Sequence, residues 1–323
     1  MLTVAPRQSD DPTSPIRTTP FLIPLPSPFP APVAVNRCLL RVAHLTDYRY
    51  PDSAREICTE IRLVPPDQRG WQHLNKYDVR VAPLSYSRSM YHDRFGNRVY
   101  ELRNESVRNH LTIAVELMVE NWCAYDASGA GLPTPIAIRD GEPTDAYCEF
   151  THRTFPDETM QLAAQEVENA TDYHDNPLRF LETVGLFVHH EMRFSVGTTG
   201  VETTAIEAWK YHRGVCQDYA HVTLALLRRL NIPGRYVSGF VPGEGVMHAW
   251  IEALLPLHDG DSARYWFAYD PTYGQWTNEN YVTVAVGRDY GDITPTSGTY
   301  FGGTSALRYR NSVERKEREV IVL

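Results

Sequence analysis

The strongest constraint on the fold is a change in the spacing of apolar residues part-way along the chain. Between residues 37 and 122 apolar side chains recur at every second position, most clearly in HLTIAVELMVE at residues 110–120. A period of two is typical of half-buried β-strands. Similar segments, with proline or glycine between them, occur at residues 39–50, 56–65, 76–83 and 97–103. The pattern predicts about six strands without a helix, and therefore a small antiparallel β-sandwich.

Helical spacing begins only after a segment rich in glycine and proline, YDASGAGLPTPIAIRDGEP at residues 125–143. PDETMQLAAQEVEN at residues 156–169 and PLRFLETVGLFVHHEMRF at residues 177–194 are spaced like amphipathic helices. We therefore expect two domains in an α+β fold. The predicted divisions are a disordered arm at 1–36, a β-rich domain at 37–125, a linker at 126–152, a second domain at 153–305, and a tail or final strand at 306–323.

The composition of the chain limits the cellular compartment and the classes of partner that can be expected. The chain of 323 residues has a formal net charge of -9, which argues against nucleic acid or an anionic membrane surface as a partner. Its five cysteines are odd in number and form no C-x-x-C pair, so neither a disulfide framework nor a structural zinc site is expected. The nine prolines in residues 1–36 interrupt any secretory pattern. These features predict a cytoplasmic protein with free thiols.

One of these cysteines, Cys216, lies at the start of a predicted helix. In CQDYAHVTLALLRRL, at residues 216–230, apolar residues fall nearly all round the helix, as in helices that are buried. A thiol at the first position faces the positive end of the helix dipole and the unpaired N–H groups of the first turn. Both favour a nucleophilic thiolate. Free cysteines are often no more than small buried hydrophobic residues, so a catalytic role needs a partner.

The partner residues are found on two of three predicted strands that follow this helix, at residues 234–241, 247–255 and 264–271. His248 opens the second strand, and Asp270 closes the third, where Pro271 ends the strand and leaves the carboxylate at the rim of the sheet. Cys216, His248 and Asp270 would form a triad of nucleophile, proton shuttle and orienting carboxylate. Asp270 would fix the tautomer of the imidazole through its second ring nitrogen.

The three motifs resemble a known family. GVCQDYAH at 214–221, HAWIE at 248–252 and AYDPT at 268–272 are similar to the transglutaminase-like superfamily, which has a papain-type fold. HLTDYRYP, EIRLVPPDQRGWQ and DRFGNRVYEL, within residues 44–102, resemble the N-terminal region of bacterial transglutaminase-like proteins. The resemblance implies that 153–305 is a catalytic domain. In it a buried helix bearing the cysteine packs on an antiparallel sheet that bears the histidine and aspartate.

The resemblance leaves the reaction open. Animal transglutaminases place a tryptophan after the cysteine and require calcium, whereas Gln217 follows here and no D-x-D-x-D-G cluster occurs, so we expect no metal and no other cofactor. The same triad serves peptidases, amidases and acyltransferases, so the substrate would be a protein or peptide bearing glutamine or another amide. The alternative is a non-catalytic binding module that keeps the fold.

Other polar residues near the motifs are interpreted as structural. His189 and His190 have no cysteine or carboxylate at metal-ligand spacing beside them. His221 lies farther round its helix than Cys216, and Asp218 suits the positive end of the helix dipole. The backbone N–H of Cys216 is the expected oxyanion donor, and the sequence does not identify a second one.

Overall fold

A computed structural model describes residues 29–258 and 260–323 as an α+β protein with three antiparallel sheets. This architecture confirms the predicted fold class. Most of the predicted arm, residues 1–28, lies outside the described residues, and the first strand begins at Ala34. Among the described residues, no helix is long and apolar enough to cross a membrane.

The first two sheets form the predicted β-sandwich. The first sheet has the order β16-β1-β7-β4-β3, with β1 at Ala34–Arg49, β3 at Gln68–Arg69, β4 at Gln72–Ala82, β7 at His110–Tyr125 and β16 at Ala306–Val322. The second has the order β15-β2-β6-β5, with β2 at Ala54–Ile61, β5 at Ser87–His92, β6 at Arg98–Val107 and β15 at Thr296–Phe301. The apolar residues of β7 at alternate positions are all buried, so the period of two identified the face that packs in the core.

The C-terminal residues return to this sandwich. β15 lies in the range that the sequence analysis gives to the second domain, yet it pairs with β2. β16 pairs with β1 along its whole length, from Ala306 opposite Arg49 to Val322 opposite Ala34. β16 is an edge strand of its sheet and is rich in charged residues, which discourage pairing with the edge of another sheet.

The third sheet has the order β13-β12-β11-β10-β14 and contains the strands of the predicted catalytic domain. These are β10 at Gly234–Phe240, β11 at His248–Pro256, β12 at Arg264–Asp270, β13 at Gln275–Trp276 and β14 at Val282–Gly287. Two further short strands, β8 at Arg193–Phe194 and β9 at Arg213–Gly214, pair in parallel.

In the part of the chain that the structure describes, four α-helices accompany the third sheet: α1 at Glu158–Ala170, α2 at Pro177–Glu191, α3 at Ala205–Tyr211 and α4 at Cys216–Arg229. Nearly every residue of α4 is buried, as its sequence predicts. Helix α2 approaches β12 closely at Gly185, where an added Cβ would lie 2.1 Å from the ring of Tyr269. A glycine is therefore required there to let helix and sheet meet.

Side chains from the sandwich hold the edge of the third sheet. The amide of Gln72 exchanges two hydrogen bonds of 2.8 Å with the backbone of Thr283 in β14. Asn97 makes the same pair of contacts with Val286, at 2.7 and 2.8 Å. Because the free backbone groups of β14 are satisfied in this way, the sandwich stabilises the sheet that contains His248 and Asp270.

Candidate active site

Cys216 is the first residue of α4, with Val215 as the residue that caps the helix. The cysteine is only partly buried, in contrast to the apolar residues that follow it. The first N–H groups of an α-helix have no acceptor within the helix, so the backbone around Cys216 can donate to a negative charge. The thiol therefore lies within reach of solvent and beside a source of positive potential.

His248 is the first residue of β11 and is turned toward the end of β12. Its Nε2 lies 2.7 Å from Oδ2 of Asp270, the last residue of β12. A carboxylate only accepts hydrogen bonds, so Nε2 carries the proton of this contact. The other ring nitrogen, Nδ1, is buried and has no hydrogen-bond partner among the described residues. Nδ1 is thus the atom that remains to exchange a proton with Cys216.

Asp270 ends β12 at the rim of the sheet, as expected, and is completely buried there. Four donors fill its four acceptor positions. Oδ2 accepts from His248 and, at 2.8 Å, from the hydroxyl of Tyr281. Oδ1 accepts from the backbone N–H groups of Thr272 at 2.8 Å and Tyr273 at 3.3 Å. These bonds fix the carboxylate and compensate the loss of its hydration.

The environment of His248 favours the imidazolium form. Burial opposes protonation, but the hydrogen bond with Asp270 and the nearby side chain of Cys216 outweigh it and raise the pKa of His248 to about 10. A protonated imidazole between a thiol and a carboxylate is the arrangement that an ion pair with a thiolate requires. The site can therefore hold a nucleophile and a proton donor at neutral pH.

The loop at residues 195–203 is fastened to the start of α4 by Asp218. Oδ2 of Asp218 accepts from the N–H of Val215 and from the hydroxyl of Thr199, both at 2.7 Å. The amide of Gln217 donates to the carbonyl oxygens of Gly200 and Val201. These contacts tie the side chain of Gln217 to the loop. Asp218 and Gln217 hold the loop beside the thiol.

Comparison with known proteins agrees with this geometry. Residues 164–271 match the family described as the transglutaminase-like superfamily, and residues 40–120 match the bacterial transglutaminase-like N-terminal region. An uncharacterized protein of Mycobacterium leprae is 31% identical over 274 residues, which cover 81% of this chain and 93% of the relative. The chain belongs to the transglutaminase-like superfamily.

More distant similarities extend the comparison. An uncharacterized protein of Mycobacterium tuberculosis strain H37Rv is 27% identical over 277 residues, covering 81% of this chain and 87% of the relative. A crystal structure of a candidate cysteine protease from Cytophaga hutchinsonii has a TM-score of 0.68 at 16% identity, covering 89% of this chain and 98% of that one. At that identity the likeness shows a shared fold.

Within this transglutaminase-like chain, the match at 164–271 includes Cys216, His248 and Asp270. Sequence reasoning identified these three residues but missed the groups that surround them. The ring of Tyr273 stacks on that of His248 at 5.3 Å, and its hydroxyl donates to Glu244. No local motif indicates this contact, because Glu244 comes from a different loop.

Two of the three histidines that are interpreted as structural, His189 and His221, have backbone partners. His189 lies against the turn after Asp270, with its Nδ1 3.0 Å from the carbonyl oxygen of Thr272. His221 is fully buried, and its Nε2 accepts from the N–H of Tyr290 at 3.2 Å. Burial lowers the pKa of His221 to about 3, so it stays neutral. Nowhere in residues 29–258 and 260–323 do three His, Cys, Asp or Glu side chains form a group that could hold a metal ion.

Proposed function

We propose that this protein is a cysteine-dependent enzyme that cleaves amide or peptide bonds through a thioester on Cys216. The observation that carries the proposal is the 2.7 Å hydrogen bond between Nε2 of His248 and Oδ2 of Asp270. Because this bond occupies Nε2, Nδ1 is the ring nitrogen of the buried imidazole that is left to exchange a proton with the thiol. A histidine with a structural role alone has no need of a carboxylate on one side and a nucleophile on the other.

The first half of the reaction forms the acyl-enzyme. The thiol proton of Cys216 passes to Nδ1 of His248, and the thiolate attacks the carbonyl carbon of the substrate. The backbone N–H of Cys216 donates to the oxygen that becomes negative. The C–N bond then breaks as the imidazolium gives its proton to the leaving amine, which leaves a thioester on the sulfur.

The second half regenerates the thiol. Neutral His248 takes a proton from a water molecule or from a primary amine, which attacks the thioester carbon. The C–S bond breaks and the thiolate recovers its proton from the imidazolium. Water gives a carboxylic acid, whereas an amine gives a new amide. We propose a protein or peptide substrate, with a glutamine side chain as one candidate amide.

Selective alkylation tests this proposal without knowledge of the natural substrate. Burial raises the pKa of the other four thiols, Cys38, Cys58, Cys123 and Cys148. Brief treatment with iodoacetamide at neutral pH, followed by peptide mapping, should therefore label Cys216 well before the rest. His248→Ala should remove this advantage. Equal labelling of all five cysteines in the wild type would count against the proposal.

A further inference from the structure

We propose that Tyr281 is a positioning residue that orients Asp270 and limits how strongly this carboxylate holds the imidazole of His248. Tyr281 lies just before β14, is buried, and donates its hydroxyl to Oδ2 of Asp270 at 2.8 Å. The same oxygen accepts from His248 at 2.7 Å. The inference rests on the proposed function, because it assigns a role in the protonation of His248.

The direction of the hydrogen bond follows from a third residue. The amide Nε2 of Gln275 lies 3.0 Å from the hydroxyl oxygen of Tyr281 and can only donate to it. The hydroxyl proton of Tyr281 is therefore left for Asp270. A hydroxyl that accepts one hydrogen bond is also a better donor in the next, so the chain from Gln275 to Asp270 is cooperative.

The ring of Tyr281 is held in place from two sides. It packs edge-on against Trp250, with ring centroids 5.2 Å apart. Its backbone carbonyl accepts from the amide of Asn121 at 2.8 Å. Asn121 belongs to β7 of the sandwich. The N-terminal region thus contributes to the position of a group that contacts the predicted triad.

Two donors on one carboxylate oxygen share its electron density. Removing the hydroxyl of Tyr281 would leave His248 as the only donor to Oδ2, so the carboxylate would hold the imidazolium proton more tightly. The carboxylate would also lose one of its four fixed contacts. We therefore expect an imidazolium that is easier to form and a poorer proton donor to a leaving group.

Other ionisable groups around His248 could also shift its pKa. The ionisable side chains that face the imidazole or adjoin it are those of Cys216, Asp270, Tyr273 and Tyr281, with Glu244 beyond Tyr273. Tyr281→Phe removes one hydroxyl and leaves the other groups in place. Tyr269→Phe is a matched control, because the hydroxyl of Tyr269 is buried without a hydrogen-bond partner among the described residues.

The test measures the titration of His248 by NMR with labelled histidine, in the wild type, Tyr281→Phe and Tyr269→Phe. Tyr281→Phe should raise the midpoint of His248, and it should lower the rate of Cys216 acylation by a p-nitroanilide, whose amine leaving group must be protonated, about tenfold. Tyr269→Phe should match the wild type in both. An unchanged midpoint in Tyr281→Phe, or an equal shift in the control, would overturn the inference.

Two further experiments allow the role of Tyr281 to be tested even if Cys216 is unreactive or Tyr281→Phe does not fold. Repeating the titration in a Cys216→Ala background reads the effect of Tyr281 even if Cys216 proves unreactive, which would contradict only the proposed function. If Tyr281→Phe does not fold, Gln275→Leu replaces it, since Gln275 is exposed. Gln275→Leu makes the hydroxyl of Tyr281 a weaker hydrogen-bond donor, so the titration midpoint of His248 should shift in the same direction by a smaller amount. No shift in Gln275→Leu would then overturn the inference.

Discussion

Nε2 of His248 and Oδ2 of Asp270 lie 2.7 Å apart, and neither side chain is more than 1% exposed. The pair joins the first residue of β11 to the last residue of β12, so its geometry depends on the register of two neighbouring strands. A shift of one residue in this register would turn one of the two side chains to the opposite face. The sheet therefore sets the orientation of the imidazole.

Substitutions in the predicted triad should have ranked effects on turnover of a small amide. Cys216→Ala should abolish it, and His248→Ala should cost nearly as much. Asp270→Asn should lower turnover roughly a hundred- to thousandfold. The carboxylate accepts hydrogen bonds from four donors, whereas an amide has an NH₂ group that would face one or more of these donors and could not accept from them. Asp270→Asn and His248→Ala should also lower the melting temperature, because each weakens or removes the hydrogen bond between these two buried side chains, whereas Cys216→Ala should leave it nearly unchanged. Equal activity in Asp270→Asn and the wild type would contradict this account.

The free energy of unfolding should decrease as the pH rises from about 6.5 to about 10. Because the pKa of His248 is raised from 6.5 to about 10, the folded protein retains a proton in this range that the unfolded chain releases. The stabilisation is complete below the lower value and is lost as the pH rises through the upper one. Urea unfolding of the wild type and His248→Asn should give stabilities that converge across this range. The exposed His190→Asn is the control, and a constant difference between wild type and His248→Asn would be inconsistent with the pKa.

Glu252→Gln should be among the most destabilising single substitutions. Glu252 is fully buried in β11 and accepts two hydrogen bonds from Arg69, at 2.7 and 2.6 Å, and one from Arg235 at 2.5 Å. Removing its charge leaves Arg69 without its carboxylate partner and Arg235 with Glu142 alone, which costs about 3–5 kcal/mol. Guanidinium unfolding should show this loss, whereas Glu317→Gln on the surface should change stability by less than about 0.5 kcal/mol.

The lowered pKa of Glu252 predicts that the folded protein loses stability in acid. Burial opposes its ionisation, but Arg235 and Arg69 outweigh burial and lower the pKa of Glu252 from 4.5 to about 2. Its contribution to stability is present above pH 4.5 and is lost as the pH falls through about 2. Between pH 4.5 and about pH 2, the free energy of unfolding should therefore decrease more steeply with falling pH for the wild type than for Glu252→Gln. Parallel curves would contradict the assignment.

Thr199→Val should loosen the loop at residues 195–203 while the protein stays folded. The substitution removes the 2.7 Å hydrogen bond to Asp218 that fastens the loop to α4. A lost hydrogen bond of about 1.4 kcal/mol corresponds to roughly tenfold faster amide exchange in the loop. Thr198→Val, which loses only a contact with the carbonyl of Ser195, is the control. Identical exchange in both variants would show that Asp218 does not fix the loop.

The sequence predicted the elements whose spacing is local. The period of two in β7 and the apolar helix α4 identified the sandwich and the buried helix, because side-chain periodicity depends only on the backbone geometry of each element. The motifs around Cys216, His248 and Asp270 indicated three residues that the structure brings to one site. Their catalytic role stays a prediction, as does the division into domains.

The surroundings of the site could not be predicted because they depend on contacts between distant segments. The sequence predicts Asp270 at the rim of the sheet but does not indicate that Tyr281 and the turn at Thr272 cover it there. The sequence predicts residues 306–323 only as a tail or a final strand, and pairing with β1 makes the 17 residues of β16 a strand. Such pairings are decided by tertiary packing rather than by local pattern.

The most direct test of the central claim is detection of an acyl group on Cys216. The protein is mixed briefly with p-nitrophenyl acetate, quenched in acid and analysed by intact mass and peptide mapping. We expect one acetyl group, on the peptide that contains Cys216, and none at that position in Cys216→Ala. The group should disappear when water or added amine completes the cycle. A wild type that stays unmodified, or that is acetylated to the same extent as Cys216→Ala, would contradict the thioester mechanism.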